Sequence, residues 1–210
     1  MSIGATIRRM LGPLEPAVSR LYRAAFFDMA AFARAVREWT DAESILEVGC
    51  GDGLATQELR RAFPRAAITG IDIQPVVGKL FRGDRSSIRF LSVGLPSFAK
   101  RHRGHFDLVV ICDVLHHVAP ADRRDLLYCA AQVLRQGGRL VLKEWERRRN
   151  MAHLFAWISD RFITGDRVQF ETAVALREMT SEVLGAPVER EFRLPPWQNN
   201  LALFIRPSLR

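Results

Sequence analysis

"ILEVGCGDG", residues 45–53, decides how the rest of the chain is read. An apolar run interrupted by Glu47 leads directly into three glycines, Gly49, Gly51 and Gly53, at every second position. The following "LATQELRRAF" (54–63) spaces its apolar residues as a helix does. A strand, a glycine loop and a helix in this order bring a ligand close to bare backbone, because glycine allows both the tight turn and the approach.

Outward from the loop, short apolar runs alternate with helical ones. "AAITGIDI" (66–73), "SIRFLSV" (87–93), "FDLVVICDVL" (106–115) and "GGRLVLKEW" (137–145) are expected strands. "RRDLLYCAAQVLR" (123–135) is an expected helix, and "VGKLF" (77–81) is read as the start of another. Alternation of this kind indicates parallel βαβ units, and "LVVIC" is apolar on both faces, as a central parallel strand must be. After Trp145 the rhythm changes to a basic turn, then "MAHLFAWISDRFITGD" and a helix around "TAVALREMTSEVL". Two strands, "VEREFRL" and "LALFIRP", follow, joined by the turn-forming "PPWQNN".

The loop discriminates among ligands. A phosphate-binding P-loop needs lysine and then Ser or Thr at the helix start, where this chain has Leu54 and Ala55. The dinucleotide fingerprint GxGxxG requires a third glycine at position 54, which is leucine. The spacing is GxGxG, and the Glu47 carboxylate just upstream would repel a pyrophosphate. A cationic adenosyl compound without phosphate fits better, and S-adenosylmethionine, with its sulfonium and amino group, is one. Its ribose needs an acceptor, and Asp72 ends the second strand about 20 residues past the loop, where a carboxylate takes ribose hydroxyls.

Composition sets the outer limits. At 210 residues with 48% hydrophobic content, one well-buried core is expected and therefore one domain. The net charge of +8 is grouped at Arg60-Arg61, "KRHR" (100–103) and "ERRR" (146–149). Such groups attract phospholipid headgroups, acidic metabolites or nucleic acid without choosing among them, and are equally ordinary solvated faces. Cys50, Cys112 and Cys129 show neither CxxC nor Cys/His ligand spacing, which points to a reducing cytoplasm and no structural zinc. "MSIGATIRRMLGPLEP" has the wrong order for a secretory signal, and no run reaches the ~18–20 apolar residues of a membrane span. Residues 17–39 have an apolar face at helical spacing, which either covers the domain or makes a peripheral membrane contact.

Four motifs, "ILEVGCGDG", "GIDI", "FDLVVICDVLHHV" and "LRQGGRLVLKEW", stand in the order and spacing that resembles class I S-adenosylmethionine-dependent methyltransferases, especially the branch acting on small molecules and lipids. The resemblance is close over residues 44–145 and looser beyond. It implies an α/β fold of three layers: a Rossmann-like seven-stranded sheet, mostly parallel with an antiparallel last strand, plus N-terminal helices. It divides a single methyltransferase domain, 1–210, into a helical cover (1–43), a cofactor-binding core (44–145), a substrate lid (146–170), and the last helix with the final strand pair (171–210).

The same resemblance implies that Glu47 shapes the loop and supports binding of the cofactor's amino group. Gly49, Cys50, Gly51 and Gly53 line the cofactor with backbone, Asp72 holds the ribose, and Ile73 packs on adenine. Where such proteins often have an acidic patch after the third strand, this chain reads "LSVGLPSF", so Val93 and Gly94 offer only backbone to adenine.

Methyl transfer from a sulfonium is a direct displacement, so alignment dominates and a base is needed when the acceptor is a hydroxyl. "CDVLHHV" supplies Asp113, His116 and His117 at the end of the fourth strand. The adjacent histidines point in different directions, so one faces the pocket and the other packs. Either can be the proton acceptor, while Asp113 is equally suited to the methionine part of the cofactor. A divalent-metal reading would draw on Asp113, Asp160 and Asp166, but their spacing matches no metal motif and none is expected.

The chain lacks the Asn/Asp-Pro-Pro-aromatic motif of exocyclic-amine methylation and a Pro-Cys nucleophile. No stacking aromatics interleave its basic runs, which weighs against nucleic acid. Residues 146–170 mix Met151, Phe155, Trp157 and Phe162 with arginines, a combination suited to an amphiphilic or acidic substrate. The expected activity is methyl transfer to a small or lipid-like acceptor, at oxygen. The alternatives are an RNA or protein methyltransferase and a non-catalytic protein that binds the cofactor or a partner. No motif encodes the acceptor or the number of subunits.

Overall fold

The structure is a computed structural model, and it describes residues 27–148 and 168–208. Helix α1 (Met29–Trp39) is followed by β1 (Ser44–Val48), α2 (Leu54–Ala62), β2 (Ala67–Asp72) and β3 (Ile88–Ser92). Then come α3 (Leu95–Ala99), β4 (Phe106–Cys112), α4 (Arg123–Val133), β5 (Leu134–Trp145), α5 (Ala173–Leu184), β6 (Val188–Leu194) and β7 (Asn200–Ile205). The seven strands form one sheet in the order β3-β2-β1-β4-β5-β7-β6. β1 to β5 pair in parallel, and β7 runs antiparallel between β5 and β6. This is the inserted antiparallel strand expected from the "VEREFRL" and "LALFIRP" pair.

The apolar runs form the centre of the sheet because both of its faces are covered. Leu108, Val109, Val110 and Ile111 of β4 are fully buried, and their side chains alternate between two clusters. Leu46, Val109, Ile111, Leu140 and Leu142 pack with Leu127, Ala130 and Leu176 of α4 and α5. Ile45, Leu108, Val110 and Val141 pack with Phe32 and Val36 of α1 and Leu59 of α2 on the opposite face. Helix α1 starts at Asp28, whose Oδ1 accepts from the Ala31 N–H at 2.8 Å, a side-chain cap for its first turn. The rest of the apolar stretch read over residues 17–39 precedes Phe27 and lies outside the described residues. Among the described residues, no helix is long and apolar enough to cross a membrane.

One expected element is corrected. "VGKLF" (77–81) forms a turn, not the start of a helix. Gly78 has φ +66°, and its N–H donates to the Gly51 carbonyl at 2.8 Å while the Leu80 N–H donates to the Asp52 carbonyl at 2.8 Å. Bonding to the glycine loop replaces the intrahelical bonds that this segment would otherwise make. The short α3, with Pro96 in its first turn, was not anticipated from "LSVGLPSF".

Candidate active site

The crevice lies where the strand order reverses, because β1 sends its connections to β2 on one side while β4 lies on the other. Gly49, Gly51 and Gly53 all have positive φ, at 77°, 50° and 87°. At Gly53 an added Cβ would also lie 3.0 Å from the Gly78 Cα and 3.1 Å from the Phe90 ring, so the turn and the phenyl wall need glycine there. The loop is held to β2 by the Gly49 and Cys50 N–H groups, which both donate to the Ile71 carbonyl. Asp72 then fixes the loop from the strand end: its Oδ2 accepts from the Gly51 N–H at 2.8 Å and its Oδ1 from the Gln74 N–H at 2.9 Å. Each carboxylate oxygen has a further lone pair, so this is an oriented acceptor for hydroxyls. Ile73, next along the chain, is 79% exposed and offers an apolar surface at the crevice rim.

Glu47 and Cys50 face away from solvent. Glu47 is fully buried and accepts a hydrogen bond from the Thr56 hydroxyl on α2. Burial pushes its carboxyl from 4.5 up to about 7, with Asp52 and Asp72 adding to the rise and the Thr56 hydroxyl opposing it. Glu47 therefore reaches a ligand only through the loop and helix start that it braces. The Cys50 thiol packs against Gly70, and burial raises its pKa well above the ordinary thiol value.

The Glu47 shift has a stability consequence. Because the folded value is the higher one, its favourable contribution is complete below pH 4.5 and is lost as the pH rises to about 7. Replacing Glu47 by Gln is expected to remove this loss. The Tm of the variant relative to the native chain should climb between pH 4.5 and 7 in the ligand-free protein; a constant difference across that window would contradict the buried acid.

Across the crevice, β4 is followed by Asp113, which has φ 56°, a left-handed conformation that Asp tolerates better than most residues. Its Oδ2 pairs at 2.6 Å with the ammonium of Lys143 on β5, which is buried and lies 3.9 Å from the centre of the Phe27 ring. Residues 115–117 form a single tight turn of 3-10 helix. This turn buries His116 and leaves His117 exposed, with the two ring centres 4.2 Å apart.

The partner of His116 is Glu144, the residue after Lys143, and no motif had pointed to it. One oxygen of the buried Glu144 carboxylate accepts from the Val114 and Leu115 N–H groups at 2.9 and 2.7 Å; the other lies 2.7 Å from His116 Nδ1. A carboxylate only accepts, so the neutral imidazole carries its proton on Nδ1 and its basic lone pair on Nε2. Phe170 stacks on the ring at 4.9 Å. The arrangement is an imidazole whose tautomer and orientation are fixed by a carboxylate.

Asp113, His116 and Glu144 bring ligand-type atoms within 4.8 Å of one another. The Glu144 oxygens already serve three N–H groups and Asp113 holds an ammonium, so the donor set is built as a hydrogen-bond network. Asp160 and Asp166, the other residues of the metal alternative, lie outside the described residues, as does the lid segment 146–170 between 149 and 167. The signal for Glu144 was present in "LVLKEW": an acid buried at the carboxyl end of a central strand, the same position in β5 that Asp113 nearly occupies in β4.

Comparison with known proteins agrees with this architecture. Residues 46–140 match the family model of a methyltransferase domain. The ubiquinone biosynthesis O-methyltransferase of Aromatoleum aromaticum is 29% identical over 160 residues, covering 67% of this chain and 66% of that protein. Its counterpart in Xanthomonas oryzae pv. oryzae is 32% identical over 107 residues, 49% of this chain and 43% of that protein. The chain thus spans less than two thirds of the length of these curated relatives. Among solved structures, the 1,6-didemethyltoxoflavin-N1-methyltransferase of Burkholderia thailandensis, with bound 1,6-didemethyltoxoflavin and S-adenosylhomocysteine, superposes with a TM-score of 0.66 at 17% identity. That match covers 98% of this chain and 88% of that one. The pyocyanin biosynthetic protein PhzM gives 0.75 at 16% identity, over 99% and 62%. With residues 46–140, from the glycine loop into β5, matching the methyltransferase-domain model and the whole fold shared with those solved structures, the chain carries a methyltransferase domain of the class I, S-adenosylmethionine-dependent fold.

Proposed function

We propose that the protein methylates the hydroxyl oxygen of a small-molecule, amphiphilic acceptor, using S-adenosylmethionine. The observation that carries this reading is the His116–Glu144 pair, which joins the turn after β4 to the carboxyl end of β5. A hydroxyl gains nucleophilicity as its proton leaves, and a base oriented through Nδ1 is suited to take that proton on Nε2. The similarity to O-methyltransferases of ubiquinone biosynthesis supports oxygen as the acceptor atom.

The residues present fit the cofactor. At Gly51 an added Cβ would meet only the Asp72 carboxylate, at 3.9 Å, so the loop offers bare backbone there; the Asp72 carboxylate is oriented for ribose hydroxyls, and exposed Ile73 suits an adenine face. Asp113, next to the loop across the crevice, suits the methionine amino group. When bound, the cofactor supplies an electrophilic methyl group on sulfur. The chain's own work is to fix that group by its loop, hold the acceptor and accept one proton at His116. His117, exposed beside it, is suited to contact the acceptor.

Two variants test the assignment. Asp72→Ala is expected to weaken S-adenosylhomocysteine binding at least about tenfold by calorimetry, since two hydroxyl bonds to a charged acceptor are lost; unchanged affinity would overturn the cofactor assignment. His116→Ala is expected to lower kcat for methyl transfer to a panel of phenolic acceptors by about 10²-fold or more, with cofactor affinity kept. Full activity in that variant would remove the proposed base, and a native chain that labels no hydroxyl acceptor from methyl-labelled cofactor would overturn the proposed function.

A further inference from the structure

Arg123, the first residue of α4, belongs to no motif, yet it is among the largest fully buried side chains of the described residues. Its guanidinium reaches acceptors on two other segments. Nε donates to the Val118 carbonyl at 3.0 Å and Nη2 to the Gln169 carbonyl at 2.7 Å, while Nη1 pairs with the Glu171 carboxylate at 2.7 Å. Val118 closes the turn that carries His116. The Gln169 N–H donates to the His116 carbonyl at 2.9 Å, and Phe170 between Gln169 and Glu171 stacks on the His116 ring. The Arg147 N–H, just past β5, donates to the Glu171 carbonyl at 2.7 Å.

We propose that Arg123 is a positioning residue for His116: it clamps residues 168–171 onto the 115–118 turn and so holds the imidazole against Glu144. Its effect on rate rests on the reading of His116 as the base; its effect on the imidazole does not. The turn is held at both ends. Glu144 fixes its start through the Val114 and Leu115 N–H groups, and Arg123 fixes its end through Val118 and, by way of Gln169, the His116 carbonyl. Without the guanidinium, the Val118 and Gln169 carbonyls lose the donor that ties them together and the Glu171 carboxylate its partner, so the 168–171 segment separates from the turn while the Glu144 end stays fixed. Lysine cannot substitute, because one ammonium does not span acceptors that a planar fork of five donors reaches together.

The test reads the imidazole directly. In protein labelled with 15N at its five histidines, with His116 assigned by its loss in His116→Gln, the native chain is expected to show His116 in the single tautomer protonated at Nδ1. Arg123→Lys should give mixed tautomers at S-adenosylhomocysteine affinity within about twofold of native, and a roughly tenfold fall in kcat on the phenolic panel without a change in the cofactor KM. Added guanidinium should restore the native tautomer to Arg123→Ala. Glu171→Gln removes the charge from one arm at a partly exposed site, and should shift the tautomer in the same direction by a smaller amount; it decides the matter if Arg123→Lys does not fold. Arg124→Ala, which breaks only an exposed pair with Glu182, should leave the His116 signal native. A native His116 signal in Glu171→Gln, or in an Arg123→Lys that binds S-adenosylhomocysteine, would overturn the inference. A tautomer that depends on Arg123 in a chain that methylates no hydroxyl would overturn the function and leave the positioning role standing.

Discussion

Replacing Glu144 by Gln is expected to lower kcat for hydroxyl methylation by about 10²-fold while cofactor affinity stays within a factor of about two. The substitution keeps the size of the side chain but gives it an amide. One amide oxygen can still serve the Val114 and Leu115 N–H groups that Glu144 now accepts. The amide nitrogen then faces His116 Nδ1 as a donor, where a carboxylate oxygen stands at 2.7 Å. Two donors face each other unless the ring moves its proton to Nε2, and that tautomer has no lone pair left on the nitrogen that would receive the acceptor's proton. Binding is spared because the glycine loop and Asp72 are untouched. Steady-state kinetics with the cofactor and acceptor varied separately checks this, and a native kcat would show that the His116–Glu144 pair is structural.

Gly49→Ala is expected to cost about 3 kcal/mol of stability, from two additive sources. The residue has φ +77°, a strain of about 1–3 kcal/mol for a side chain, and the new Cβ would lie 2.3 Å from Val114 Cγ2, an overpacking of about 1–3 kcal/mol. At roughly 2–4 °C per kcal/mol in a chain of this size, Tm should fall by about 10 °C. The two sources separate experimentally. Adding Val114→Ala should recover the overpacking part, because its Cγ2 is gone, and leave the strain. Gly104→Ala has φ +66° with nothing within 4 Å, so it should show strain alone. Equal Tm losses at Gly49 and Gly104 would mean that the contact with Val114 is unimportant. Val114 precedes the turn that bears His116, so the contact also ties the two sides of the crevice together.

The fold was legible because its signals are local and repeated. Apolar runs such as "LVVIC" become central strands, fully buried from Leu108 to Ile111 and half-buried at Cys112, and the final strand pair carries its own turn residues between Leu194 and Asn200. The meeting of the glycine loop with Asp72 was legible for the same reason: glycine spacing and an acid at a strand end are properties of neighbouring residues. The acceptor side was less so. His116 stood out as a titratable residue after β4, but Glu144 meets it across 28 positions, and Arg123 acts on residues 46 and 48 positions away. Such contacts arise from strand order and from where a chain returns, which composition and periodicity do not encode. The turn at 77–81 misled in the same way, because its partners are the carbonyls of Gly51 and Asp52, set by folding over the loop.

Lys143 and Glu144 are neighbours that serve opposite faces of β5, the lysine toward Phe27 and Asp113, the glutamate toward His116. A shift of one residue in the phase of this strand would therefore exchange the two, setting an ammonium against the histidine and an acid beside Asp113. The pairing of β5 with β7, from Leu140 with Ile205 to Trp145 with Asn200, prevents that slip at the end of the strand where it matters. Evolution is then free to lengthen the hairpin turn around Trp197 or to vary the exposed residues of β6. A single-residue insertion or deletion within the paired stretch Leu140–Leu142 is a different matter: it moves Lys143 and Glu144 by one position against β7 and would exchange their faces in a sheet that still packs.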